Sequence, residues 1–382
     1  MYSLTPTQES LVARARDIAL TVAAPHAAAV DEDARFPAEA MGALAESGFF
    51  GLLIPEELGG LGGEIAVLAA VVDELAQACA SSAMVYMMHN AGVACYLADP
   101  VKFESVLRDC AAGKHLSTLA FSESGSRSQF WAPVSRAVVS NGGVRLSASK
   151  SWVTSAGLAD GIVASCLAPD GSGASLYLVC KSDPGLSIAG GWSSLGMRGN
   201  QSNPMSLENV PLNDAERLIG EAGKGADIML GKALPVFLVC QGAVGVGIAE
   251  ACFKATQAHL MNTGFEHTGT RLADLPNLRA SLSQMRLETD KARAYLVAVL
   301  RKLANGDPEA MRHALAVKAS SSETAVTVAD LAMRCCGGAA FSKHLGLERP
   351  FRDARAAIVM APTTDHLREF TGRLLLGMPL FG

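Results

Sequence analysis

The spacing of apolar and polar positions changes period twice along the chain. Up to about residue 115 it is helical. In "LTPTQESLVARARDIAL", Leu11, Val12, Ala15, Ile18 and Ala19 fall on one helical face behind a Thr5-Pro6 start. Pro37 opens a second helical stretch and Gly48 closes it. "GGLGGEIAVLAAVVDELAQAC" reads as a glycine-rich turn followed by a helix. No strand leads into that turn, so it is not a dinucleotide-binding loop.

From about residue 116 the period shortens. "VSRAVVS", Asn141-Gly142-Gly143 and "VRLSAS" predict a hairpin. "GIVASCLA" and "ASLYLVC" flank a turn at Pro169-Asp170-Gly171, and Pro184-Gly185 marks another. Long helices then return, at roughly 233–262, 276–305, 308–336 and 364–376. Gly337-Gly338 and the break at 361–363 lie between them. This order predicts an α+β chain rather than alternating βαβ units. The expected parts are an N-terminal helical domain (1–115), a middle antiparallel β-domain (116–223) and a C-terminal helical bundle (224–382).

Composition adds limits. The chain has 382 residues, 49% hydrophobic and 18% charged. Such apolar helices bury broad faces, and an oligomer is expected. A net charge of −5 gives no electrostatic case for nucleic acid or for an acidic membrane surface. The nine cysteines show no metal-ligand spacing, which suits buried, reduced thiols. "MYSLTPTQES" carries Glu9 and no basic-then-apolar segment, so neither a signal peptide nor a membrane span is expected. A cytoplasmic location follows as an expectation.

Three stretches could carry chemistry. "AFSESGSRSQF" (120–130) clusters hydroxyls and glycine after an apolar strand, a composition that can hold a polar ring or a phosphate. "SWVTSAG" (151–157) sets Trp152 two residues before Thr154, on one face of a strand. An indole beside a hydroxyl suits an aromatic cofactor, and equally a core tryptophan. "LGMRGNQS" (195–202) reads as a cofactor-side loop or a plain one. Met84, Met87 and Met88 form a stripe consistent with simple core packing.

Taken together, these segments resemble the acyl-CoA dehydrogenase family over essentially the whole chain. "FSESGSRS" resembles that family's Thr-Glu-Pro…Gly-Ser segment, "WVTSAG" its Trp-Ile-Thr, and "LGMRGNQS" its Leu-Gly-Met-Arg-Gly-Ser. "ESGFFGLLIPEELGGLG" is similar to its N-terminal helices. "GGAAF…LERPFRDAR" is similar to its Gly-Gly and Arg-Asp-Ala segments. The resemblance implies a helical domain, a β-domain and a C-terminal four-helix bundle. It implies FAD between the last two, in a homotetramer or homodimer. It places Phe121, Ser122, Ser128, Trp152 and Thr154 beside the flavin. Arg334, Gly337 and Gly338 would face a neighbouring subunit's cofactor, and Thr363 and Asp365 would also contact FAD. Met360 and Ser128 would border the substrate, an acyl-CoA or acyl-carrier thioester. An electron-accepting flavoprotein partner is in keeping with it.

One departure matters most. The family ends "Arg-Asp-Ala…" in Tyr-Glu-Gly-Thr, whose Glu removes the α-proton of the thioester. Here the stretch reads Met360-Ala361-Pro362-Thr363, so Ala361 stands in the Glu position. Alanine accepts no proton. Its backbone N–H remains available to polarise the thioester carbonyl, as that position does in the family. The alternative family position for the base falls near Pro235, with Asp227 and Glu250 the nearest acids. Arg127 and Gln129 replace a Gly and an Asp of the family, Ser124 replaces a Pro, and "MNTGFEHTGTRLADLP" replaces an Arg/Phe-Gly stretch. Four readings stay open. They are dehydrogenation with a non-standard base, elimination by decarboxylation or desulfination, flavin-dependent monooxygenation, and a non-catalytic homologue.

Overall fold

The computed structural model describes residues 2–127, 129–140 and 143–381. The first helix, α1 (Pro6–Ile18), opens on a reciprocal cap between Thr5 and Gln8 with Pro6 in its first turn. It widens into a π-turn (Ala19–Ala23) and continues as α2 (Ala24–Glu32). Pro25 gives the reason, since it has no N–H for the regular ladder. Then come α3 (Ala38–Glu46), α4 (Ile65–Ala78), α5 (Ala80–Tyr96) and α6 (Glu104–Ala111). Every residue of α5 is buried, so its methionines are interior groups. The glycine-rich turn packs tightly: a Cβ on Gly60 would lie 2.0 Å from the Ile54 carbonyl oxygen.

The middle region forms two four-stranded sheets. One runs β1 (Ser117–Ala120), β4 (Gly161–Leu167), β5 (Ala174–Cys180), β8 (Leu218–Ile219). The other runs β2 (Ala137–Ser140), β3 (Gly143–Val153), β7 (Asn203–Leu212), β6 (Leu186–Ile188). Strands β2 and β3 pair as the predicted hairpin, with Ser140 opposite Gly143. Asn141 and Gly142 of its turn lie outside the described residues. Strands β4 and β5 pair across the Pro169-Asp170-Gly171 turn, where Gly171 has φ +78°. Every strand pair is antiparallel except β1 with β4.

The last region is a bundle of α7 (Leu234–Asn262), α8 (Pro276–Ala304) and α9 (Ala310–Cys336), followed by α10 (Glu348–Val359) and α11 (Thr364–Leu375). Helix α7 continues a turn at Gly225–Ile228 through a second π-turn, Met229–Ala233. Pro235 again follows the widened turn. The run Gly225–Asn262 is long and apolar enough to cross a bilayer, but most of it is buried inside the protein. Two glycines allow that packing. A Cβ on Gly245 would lie 2.6 Å from the Ser321 carbonyl oxygen of α9, and one on Gly247 2.6 Å from that of Asp73 in α4. Buried ion pairs join the regions: Arg293 of α8 binds both Asp73 of α4 and Glu250 of α7.

Candidate active site

A cavity of about 850 Å³ opens between the β-sheets and the bundle, within the size range of cofactor and substrate sites. The strand side supplies Phe121, Ser122, Trp152 and Thr154. The bundle side supplies Phe237, Met360 and Ala361. The π-turn before Pro235 faces the cavity through Met229 and Ala233. Pro235 itself does not line it, whereas Leu234 and Phe237 do.

Thr154 is buried, and its Oγ1 lies 3.1 Å from Ser202 Oγ. Its carbonyl accepts a 2.8 Å bond from the Thr118 hydroxyl. Trp152 behaves differently from strict strand alternation. The register of β3 slips between Lys150 and Val153, and Trp152 has φ +59°. The strand ends at Val153, before Thr154. Trp152 and Thr154 meet at the cavity through that irregularity rather than through period-two spacing. Trp152 is 68% exposed, its ring edge-on to Trp192 at 5.7 Å.

Glu123 is the only carboxylate among the described residues lining the cavity. It is locked in place. Its Oε1 lies 2.6 Å from Lys150 Nζ, and its Oε2 accepts bonds from the N–H groups of Val134 and Ser135. Burial pushes this carboxyl up, but the Lys150 ammonium and the Ser135 donors outweigh it and hold it below the usual range. Glu250 is committed elsewhere, to Arg286 and Arg293. No carboxylate lining the cavity is free to accept a proton among the described residues.

The loop between α10 and α11 carries Met360, Ala361, Pro362 and Thr363. The Ala361–Pro362 peptide is cis. The Ala361 N–H finds no hydrogen-bond acceptor among the described residues. Thr363 caps α11 through the His366 N–H. Behind the loop stands Lys318 of α9, fully buried. Its Nζ donates to the carbonyls of Ala357 (3.2 Å), Met360 (3.0 Å) and Pro362 (2.8 Å). Burial alone lowers its pKa to about 7. Gln241 lies nearby, its Nε2 3.1 Å from the sulfurs of both Met84 and Met360.

Of the residues singled out from sequence, Phe121, Ser122, Trp152, Thr154, Met360 and Ala361 line the cavity. Ser128 lies outside the described residues. Arg334, Gly337, Gly338, Thr363 and Asp365 do not line it. Arg334 borders a more open depression of about 410 Å³ with Gln284 and Asp330, and Arg355 lines both this depression and the main cavity. Gly337, Gly338 and Asp365 are exposed. Sequence reasoning missed Lys318 and Gln241. The signal for Lys318 was a lysine on the face shared by Ala314, Ser322 and Ala325, all buried.

A flavin fits the strand side: hydroxyls and amides at its edge, and a tryptophan standing open to the cavity. Ser122, Ser124 and Thr154 supply the hydroxyls and Asn200 an amide.

Domain models of the acyl-CoA dehydrogenase family match three stretches in order: the N-terminal domain over residues 5–100, the middle domain over 118–210 and the C-terminal domain over 223–376. Cyclohex-1-ene-1-carbonyl-CoA dehydrogenase of Syntrophus aciditrophicus is 28% identical over 98% of this chain and 91% of its own length. Butyryl-CoA dehydrogenase from Megasphaera elsdenii superposes with a TM-score of 0.92 at 22% identity, covering 98% of this chain and 100% of that one. PigA in complex with FAD superposes at 0.90 with 20% identity, covering 99% of each chain. The chain therefore belongs to the acyl-CoA dehydrogenase family and is an acyl-CoA dehydrogenase-like flavoprotein oxidoreductase.

Proposed function

We propose that this enzyme uses FAD and acts on an acyl thioester, with a carbonyl-polarising backbone N–H at Ala361 and no side-chain base at that position. One observation carries the reading. Among the described residues, the Ala361 N–H has no acceptor and borders a cavity whose only carboxylate, Glu123, is already engaged. FAD, when bound, supplies the hydride-accepting ring. Phe121, Ser122, Trp152 and Thr154 form its wall, and Ser128 would extend it. Arg334, Gly337 and Gly338 serve the cofactor of a neighbouring copy, in a homotetramer or homodimer, and Asp365 also contacts FAD. Thr363 acts at the same loop by fixing the start of α11. The thioester is carried by CoA or an acyl-carrier protein, the final electron acceptor is a flavoprotein, and the enzyme works in the cytoplasm.

Without a base at position 361, ordinary α,β-dehydrogenation is slow for an unactivated saturated acyl chain. The locked state of Glu123 favours a second reading. The Cα electron pair would then come from the breaking C–C or C–S bond as a carboxylate or sulfinate on Cα leaves as neutral carbon dioxide or sulfur dioxide, stabilised as the enolate by the Ala361 N–H. Arg127 lines the cavity without a carboxylate partner among the described residues, which suits an anionic group on such a substrate. The test is the visible spectrum of the purified protein, identification of the released flavin, and an anaerobic panel of thioesters. Stoichiometric FAD, with turnover of a thioester, supports the proposal. Loosely held FMN with oxygen consumption, or no flavin, overturns it.

A further inference from the structure

We propose that Lys318 is a positioning residue that aims the Ala361 N–H into the cavity; the inference rests on the oxyanion reading given above. Lys318 is 0% exposed, and no carboxylate binds it among the described residues. A buried ammonium is costly unless its donors are matched. Here three donors meet three carbonyls, those of Ala357, Met360 and Pro362.

Those carbonyls bracket Ala361 on both sides. Ala357 and Met360 belong to the C-terminal end of α10, where helix carbonyls lack internal partners and attract a cation. Pro362 lies on the far side of Ala361 and just before the Thr363 cap of α11. Fixing the Met360 carbonyl fixes the plane of the Met360–Ala361 peptide, because that plane is rigid. The N–H of Ala361 belongs to the same plane. With the carbonyl turned back onto Lys318, the trans N–H points away from it. It has no acceptor among the described residues, and Ala361 and Met360 both line the cavity. The lysine thus acts through the peptide and touches no reacting atom.

The probe is acetoacetyl-CoA, a thioester already acidic at its α-carbon. Its enolate-to-keto ratio, read by ultraviolet absorbance, is compared for the free and the protein-bound ligand at one pH, on the flavin-loaded enzyme. The wild type is expected to enrich the enolate. Lys318→Met is expected to lose about tenfold or more of that enrichment, as for removal of one oxyanion donor, with flavin content unchanged. Lys318→Gln keeps two donors and should fall between them. Equal enrichment in Lys318→Met and wild type overturns the role of Lys318 alone. Absence of enrichment in the wild type overturns the oxyanion reading itself. Where Lys318→Met does not fold, Lys318→Gln decides on the same terms: wild-type enrichment in that variant overturns the inference.

Discussion

Asp353 offers the sharpest energetic prediction. It lies in α10, 2% exposed, and accepts the Met197 N–H at 2.5 Å, tying the 194–197 segment of the cavity wall to the bundle. The approach is close: a Cβ on Gly196 would lie 2.4 Å from the Arg352 carbonyl oxygen. Burial pushes the Asp353 carboxyl from 3.8 to about 6, opposed in part by the Met197 N–H and by Arg349. A raised carboxyl means the native state keeps a proton that the unfolded chain loses between about pH 4 and 6. Stability therefore falls as pH rises through that window. A shift of about two units amounts to roughly 3 kcal/mol. Asp353→Asn carries no charge and keeps an oxygen for Met197. Denaturant unfolding of both proteins should give similar stabilities near pH 4. Near pH 7 the variant should be more stable, by about 1–3 kcal/mol. A difference that does not change with pH, or a variant weaker near pH 7, would refute the argument.

Glu123→Ala strands the Lys150 ammonium in the interior and should cost about 3–5 kcal/mol in chemical denaturation; replacing both residues with apolar ones should cost less than the single change. Trp152→Ala removes an exposed ring, so unfolding stability should barely move. Its flavin affinity should drop by about tenfold, through loss of roughly 1.4 kcal/mol of ring contact; unchanged affinity would remove Trp152 from the cofactor wall. The short side chain at position 361 leaves room near the α-carbon, so branched or bulky thioesters should be preferred over straight ones in the substrate panel. A preference for straight chains only would sink that expectation.

The helices were legible because their signals are local. The Thr5-Pro6 start, the Pro169-Asp170-Gly171 turn and the long apolar faces of α7 and α9 each sit within a few residues of the structure they dictate. The break at 361–363 was equally plain. The long-range geometry was not. Lys318 meets its three carbonyls about forty residues away, and only the fold shows that they converge. The π-turns at 19–23 and 229–233 depend on Pro25 and Pro235, but a proline alone does not say whether a helix widens, bends or stops. Trp152 reached the cavity for a reason alternation could not supply, a slip in β3. Arg334, Gly337 and Gly338 do not line the cavity, and local sequence carries no sign of that.

The central claim is that the site binds and polarises an acyl thioester while lacking the carboxylate that would take its α-proton. The most direct measurement is the anaerobic rate of flavin bleaching by a saturated acyl-CoA, in wild type and in Ala361→Glu. The account predicts a slow wild type and a variant faster by about 10²-fold or more, the contribution of one well-placed general base. A fast wild type that Ala361→Glu does not improve would contradict it.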